Sequence, residues 1–220
     1  MRTYRQRLSF GLKLGLRRPQ AARLARLATP AQVQDFIDAI PINFEPHGDT
    51  CRSVREALHH RRAHCIEAAF VAACALWMQG RPPLVLDLQA KNDSDHVVAL
   101  FRRGKQWGAI SKSNHIWLRW RDPVYRTMRE LALSYFHEYV GGHSRTLMAY
   151  SVPIDLRRFA AEEWITNPDD CWPVAEAVDS VRHYRLLAPG QARELRGCDA
   201  IERRANRIVE YRKPRRRAKF

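Results

Sequence analysis

Hydrophobic positions recur every three to four residues through the first third of the chain, then shift to a shorter period. Within 1–27, Leu8, Leu12 and Leu16, then Leu24 and Leu27, fall at near-helical spacing among arginines, which predicts a basic amphipathic helix broken near Pro19. Thr29-Pro30 sets an N-cap residue before a proline at the first helical position, and Val33, Phe36, Ile37 and Ile40 follow on one face. Pro41 stops that helix, and 42–49, which contains Pro46 and Gly48, reads as a loop. Ser53 and Glu56 have capping-box spacing and open a short helix over 53–61. Over 65–79, Ile66, Ala69, Phe70, Ala73, Leu76 and Trp77 form one apolar stripe, with alanines supplying helix propensity. Gly80 is placed to terminate it, and Pro82-Pro83 forbid continuation.

The next segments read as strands: 84–88, 96–102 and 107–111, with Gly104 in the turn between the last two. Asp122-Pro123 then predicts the start of a helix carrying Val124, Met128, Leu131 and Tyr135 on one face as far as Gly141-Gly142. A further strand is expected over 146–152, and 155–211 reads as helices separated by Asn167-Pro168 and Pro189-Gly190. Helices, then a strand meander, then helices point to an α+β fold rather than alternating βαβ units.

Composition narrows the class without assigning a function. At 220 residues with 45% apolar and 28% charged positions, the chain suits one large domain or two small ones. No apolar run reaches the length of a membrane span, and the 8–16 stretch is interrupted by Lys13 without a signal peptide's cleavage pattern, so a cytoplasmic protein is expected. The formal charge of +15 lies at the ends. Residues 1–26 hold eight basic side chains and no acid, and 211–220 hold six more. Removing these 14 from 38 leaves 24 basic residues against 23 acidic ones, a nearly neutral body between two basic tails. Such tails could hold RNA, a ribosome or an anionic membrane surface. Arginine dominance offers a compositional explanation as well, since only six of the 38 are lysine. Five cysteines with no CxxC pair and no secretion signal favour reduced thiols over a disulfide scaffold.

The usual chemical fingerprints are missing: there is no GxGxxG, Walker A loop, GxSxG elbow or HExxH. What stands out is Cys65 at the start of the 65–79 helix, where unpaired N–H groups and the helix dipole favour a thiolate and would face a developing oxyanion. His96 begins the apolar strand 96–102, at a sheet rim, and thiolate with imidazolium is the working unit of cysteine acyl transfer. Cys74 falls roughly opposite Cys65 around the helix and reads as a core thiol. His59, His60 and His64 beside Cys65 raise a metal reading, but no second ligand cluster completes four-coordinate zinc, so neither metal nor cofactor is called for. Trp117 and Trp120, with Arg119 and Arg121, could stack and neutralise a single strand, though tryptophans more often pack a core.

Taken in order, Ser-Val-Arg-Glu-Ala-Leu (53–58), Cys65-Ile-Glu-Ala-Ala, Gly80-Arg-Pro-Pro-Leu-Val-Leu, His96 and Gly-Lys-Gln-Trp (104–107) resemble the transglutaminase-like superfamily of papain-like cysteine enzymes. The resemblance covers roughly 50–115. It implies a papain-like/transglutaminase-like α+β core in which a central Cys-bearing helix packs on a small antiparallel sheet. It also implies Cys-His-dependent hydrolysis or transfer at an amide or ester of a protein, peptide or small molecule. The expected organisation is a basic helical segment (1–28), the cysteine domain (29–154), a helical C-terminal extension (155–210) and a basic tail (211–220).

One position departs from the pattern. The superfamily places an aspartate four residues after the tryptophan to orient the histidine, and here Ser111 stands at that offset from Trp107. A two-residue turn at Gly104-Lys105 would pair His96 with residue 113 and put Ser111 diagonal on the same face, with Asn114 the other candidate to orient the imidazole. Asp95 should point to the opposite face of a regular strand. Neither Ser111 nor Asn114 stabilises imidazolium as a carboxylate does. Two alternatives therefore stand beside the enzyme: a catalytically silent fold serving as a binding module, and a nucleic-acid- or ribosome-associated protein held by its basic tails.

Overall fold

The computed structural model describes residues 2–213; the remainder of the basic segment expected over 211–220 lies outside the described residues. Helices α1 (Tyr4–Lys13), α2 (Arg18–Ala25), α3 (Pro30–Asp38), α4 (Val54–His60) and α5 (Cys65–Met78) come first. Strands β1 (Leu84–Ala90), β2 (His96–Arg103), β3 (Gln106–Ile110) and β4 (Arg121–Tyr125) follow, then helix α6 (Met128–Phe136). The short strands β5 (Val140–Gly141) and β6 (Ser144–Arg145) pair with each other ahead of β7 (Leu147–Ser151) and β8 (Ile154–Asp155). Helices α7 (Ala161–Trp164) and α8 (Trp172–Ser180), strand β9 (His183–Arg185) and helix α9 (Ala200–Ala205) complete the order. The fold is α+β. Its main sheet runs β4-β3-β2-β1-β7-β9 with β8 beside β1, and every pairing is antiparallel.

Caps set the helix starts. The Thr3 and Thr29 hydroxyls accept the Gln6 and Gln32 N–H groups at 3.3 and 3.2 Å. The expected break at Pro19 falls earlier, between Lys13 and Arg18. Gly15 at φ +83° makes that turn, while Pro19 sits in the first turn of α2, where its missing N–H costs nothing. Part of the N-terminal charge serves packing: buried Arg7 donates to the Ala25 carbonyl at 2.7 Å, and Arg2 donates to that of Trp77 at 2.8 Å.

Helix α5 is buried on every side from Ile66 to Leu76, more than a one-sided stripe would give. Helices α1 to α4 pack around it and β1 and β2 cover its remaining face, with its alanines permitting the close approach. The sheet is likewise covered twice. Val85, Val97, Ala99, Phe101 and Ile110 join the α5 core, while Leu86, Leu88, Val98, Leu100 and Ala109 join a second core with α6. A strand buried on both faces has no polar alternation, which accounts for the continuous apolar run at 97–101. Arg103 pairs with Gln106 across the two-residue turn at Gly104-Lys105, where Gly104 takes φ +60°.

Two regions differ from expectation. Asp122-Pro123 lies in strand β4, not at a helix start; β4 is the sheet's edge, where proline removes no ladder hydrogen bond that the fold needs. Val124 is accordingly exposed, and α6 starts after Thr127, whose hydroxyl accepts the Glu130 N–H at 3.1 Å. The segment expected to be wholly helical after 155 also supplies β9, paired with β7. It is anchored twice. Trp164 is fully buried, stacked on Trp77 at 6.2 Å and edge-on to Phe70 at 6.0 Å. His183 joins β9 to β1 through Asp87, its Nε2 lying 3.0 Å from Asp87 Oδ2 while its Nδ1–H donates to the Val181 carbonyl at 2.7 Å.

Two outcomes follow from these anchors. Trp164→Ala should destabilise the protein by about 3–5 kcal/mol in urea unfolding, the cost of emptying a large aromatic site. Burial pushes the Asp87 carboxyl up; His183 offsets part of this and Asp95 adds to it, leaving a pKa of about 7. Because the folded state holds that proton more tightly than an unfolded aspartate near ~3.9, its stabilisation is complete below that value and is lost as pH rises through about 7. Wild type should therefore lose stability relative to Asp87→Asn between pH ~5 and ~8, measured by urea unfolding at both.

Candidate active site

The chain enters α5 along a fixed path. The Asn43 N–H donates to the Ala63 carbonyl and the Ala63 N–H to that of Pro41, each at 3.1 Å. His64 then lies extended as the N-cap, with its backbone N–H donating to the Glu67 carboxylate at 3.1 Å. Cys65 is thereby the first helical residue, half-buried, beside the unpaired N–H groups and positive dipole end of a 14-residue helix.

His96 opens β2 and Ser111 lies just beyond β3, both buried. The His96 Nε2 is 2.5 Å from Ser111 Oγ and 3.1 Å from the Leu118 carbonyl oxygen. The Ser111 hydroxyl donates to that same carbonyl at 2.6 Å. A carbonyl only accepts, and the single Ser111 proton is committed to it, so Nε2 carries the hydrogen shared toward both oxygens. Nδ1 is then the position left for proton transfer.

Leu118 is held in an uncommon backbone state to do this. Its φ of +61° costs a leucine about 1–2 kcal/mol. Its N–H donates to Glu138 at 2.8 Å, and Glu138 is paired with Arg121 at 2.5 Å. Of the two candidates to orient His96, Ser111 reaches the ring and Asn114 does not. The Asn114 side chain is taken by the C-terminal segment: its Nδ2 donates to the Tyr211 carbonyl at 3.0 Å and its Oδ1 accepts the Tyr211 N–H at 2.9 Å. The chain has left the β3 line by then, and Asn114 lines the cavity of Cys65 and His96 without bonding the ring. Asp95 accepts the Ala90 N–H at 2.6 Å and plays no part in orienting the imidazole.

Cys65 and His96 line one cavity of about 300 Å³, walled also by Lys112, Tyr139 and Asn206. Burial opposes ionisation of Cys65, but hydrogen bonds from His64 and His96, and the charge of both rings, hold its thiol well below the ordinary range. The other buried thiols behave oppositely. Burial alone pushes Cys74 up to about 12, and burial with nearby acids pushes Cys171 to about 12 and Cys51 higher still. All five cysteines are free.

The histidines do not gather as metal ligands. His60 lies 3.9 Å from Glu56, His59 is edge-on to it, and among the described residues no group of three or more His, Cys, Asp or Glu side chains is arranged to hold an ion. Three of the four residues considered for base stacking, Trp120, Arg119 and Arg121, are engaged within the fold. Trp120 stacks on Phe101 at 4.9 Å, Arg121 lies over Tyr135, and Arg119 pairs with Glu210 at 2.7 Å.

No protein-family model matches the chain, and no curated protein matches it. Three contributors, Leu118, His64 and Glu67, were not singled out for these roles in the sequence. The Leu118 carbonyl is a backbone group with no side-chain signature. His64 and Glu67 had a readable signal, an N-cap position followed three residues later by a glutamate, which marks two side chains that fold back on one turn.

Iodoacetamide at pH ~6 should label Cys65 ahead of Cys51, Cys74 and Cys171 by at least about 100-fold, quantified by peptide mass spectrometry of the native protein. Comparable labelling of all four would contradict this electrostatic account.

Proposed function

We propose that the protein is a cysteine acyl-transfer enzyme of transglutaminase-like, papain-like kind, acting on an amide or ester of a protein, peptide or small molecule in the cytoplasm. The observation that carries the reading is a cysteine at a helix start that lines one cavity with an imidazole whose Nε2 is held by Ser111 and the Leu118 carbonyl, leaving Nδ1 for the sulfur. Among the described residues no helix is long and apolar enough to cross a membrane.

In this reading the Cys65 thiolate attacks the substrate carbonyl carbon, forming a C–S bond as the carbonyl electrons move onto oxygen. The first-turn N–H groups of α5 face that oxyanion. Collapse of the tetrahedral species breaks the bond to the leaving amine or alcohol, which takes the proton from His96 Nδ1 and departs, leaving a thioester. Water, or an acceptor amine, then gives its proton to Nδ1 as it attacks the thioester carbonyl, and a second collapse restores the thiolate. Ser111 and the Leu118 carbonyl keep Nε2 protonated throughout, so one tautomer is available at each step. They stabilise imidazolium less than a carboxylate would, and a slow chemical step is expected.

Steady-state assay against p-nitrophenyl esters and peptidyl amides tests the reading. Cys65→Ala should abolish turnover, and His96→Ala should lower kcat/KM by about 100- to 10,000-fold. Turnover that survives Cys65→Ala would overturn the assignment. Absence of turnover across the panel, with the labile thiol intact, would favour the silent binding module instead.

A further inference from the structure

We infer that His64 is a second activating residue of the site: its ring, bonded to the Thr50 carbonyl and flanked by the carboxylates of Glu45 and Glu67, is the fixed imidazolium that holds Cys65 as a thiolate, and His96 is left as the proton carrier. This rests on the acyl-transfer reading of Cys65 and divides between two rings what that reading gave to one.

Geometry assigns the roles. His64 Nε2 lies 2.8 Å from the Thr50 carbonyl oxygen, which only accepts, so that nitrogen carries a proton. The same atom is 3.5 Å from Glu45 Oε1 and 3.5 Å from Glu67 Oε1. Nδ1 is thereby turned to the sulfur, 4.0 Å from Cys65 Sγ. Glu67 is completely buried, and its other partners are the Thr50 hydroxyl at 2.8 Å, the Arg52 and His64 N–H groups at 3.1 Å and the Asn43 amide at 3.2 Å. All of those donors are neutral. Among the described residues the basic side chain within 4 Å of Glu67 is His64. A buried carboxylate on one side and a thiolate on the other both favour a charged ring.

His96 has the opposite setting. Its Nε2 partners are a hydroxyl and a carbonyl, with no carboxylate, so the ring's remaining contact is the Cys65 sulfur. Acyl transfer needs one group that gives up its proton and regains it in each cycle, which a ring locked as imidazolium cannot do. The acid absent from position 111 therefore has a counterpart, Glu67, attached to the other histidine. Tyr139 also faces the thiolate; burial first, and the Cys65 charge with it, push its phenol upward, so it stays neutral. For His64, burial opposes the charge, but the Cys65 bond and charge, then Glu67 and the Thr50 carbonyl, outweigh it and push the ring up to about 9.

The test is the pH profile of Cys65 alkylation by iodoacetamide, with thiolate absorbance at ~240 nm as the second readout, in full-length wild type, His64→Gln and His96→Gln. His64→Gln should raise the alkylation midpoint by about two pH units, whereas His96→Gln should raise it by less than about one while lowering kcat/KM by about 100- to 10,000-fold. An unchanged midpoint in His64→Gln, with the whole rise in His96→Gln, would overturn the inference and leave Cys65 as the nucleophile. A wild-type midpoint near ~8.5, that of an ordinary thiol, would overturn both. A measurement on wild type alone guards against a variant that misfolds. The His64 ring, followed by the carbon shift of its labelled Cε1, should remain imidazolium through pH ~8, and neutralisation below pH ~7 would sink the assignment.

Discussion

The site depends on one buried carboxylate. Glu67 sits in the first turn of α5 with no exposed surface, and it is satisfied by groups from three stretches of chain: Asn43, then Thr50 and Arg52, then His64 itself. A carboxylate withdrawn from water without such partners would cost several kcal/mol. With them, it pins the irregular 43–52 segment to the helix start and orients the His64 backbone and ring together. The position of the Cys65 sulfur relative to both is a consequence. Helix α5 can be held this firmly because its remaining faces are enclosed by α1 to α4 and the sheet.

The other half of the site is built by a different set of bonds. His96 and Ser111 meet because the two-residue turn at Gly104 fixes the β2–β3 register, and Leu118 meets them because Glu138 and Arg121 hold its backbone in the left-handed region. Strain at Leu118 is offset by three hydrogen bonds through its own N–H and C=O. Two independently fixed imidazoles thus converge on one sulfur. Their division into a fixed charge and a proton carrier follows from what each is bonded to: carboxylates for His64, neutral oxygens for His96.

Legibility in the sequence tracked the length and regularity of each element. Helix α5, its start at Cys65 and its stop at Gly80 are written in 14 residues of apolar pattern and end signals, and the register that joins His96 to Ser111 follows from counting across a glycine turn. Short elements carried too little pattern. Strand β9 has three residues, and Asp122-Pro123 has the chemistry of a helix start but lies at a sheet edge, while the operative cap, Thr127 with Glu130, is five residues on. Asn114 lines the same cavity, but its amide is bonded to Tyr211, 97 residues away and beyond any local rule, because the chain turns out of the strand after Ile110. Leu118 acts through its backbone, which leaves no trace in side-chain chemistry.

On the acyl-transfer reading proposed above, Cys65 is a pre-ionised nucleophile that forms a thioester. Intact-mass spectrometry of wild-type protein quenched in acid during reaction with an activated ester tests it most directly. One added acyl group is expected, located on the Cys65 peptide, removed by hydroxylamine and absent in Cys65→Ala. Acylation spread over lysines, or an adduct that persists in Cys65→Ala, would contradict it.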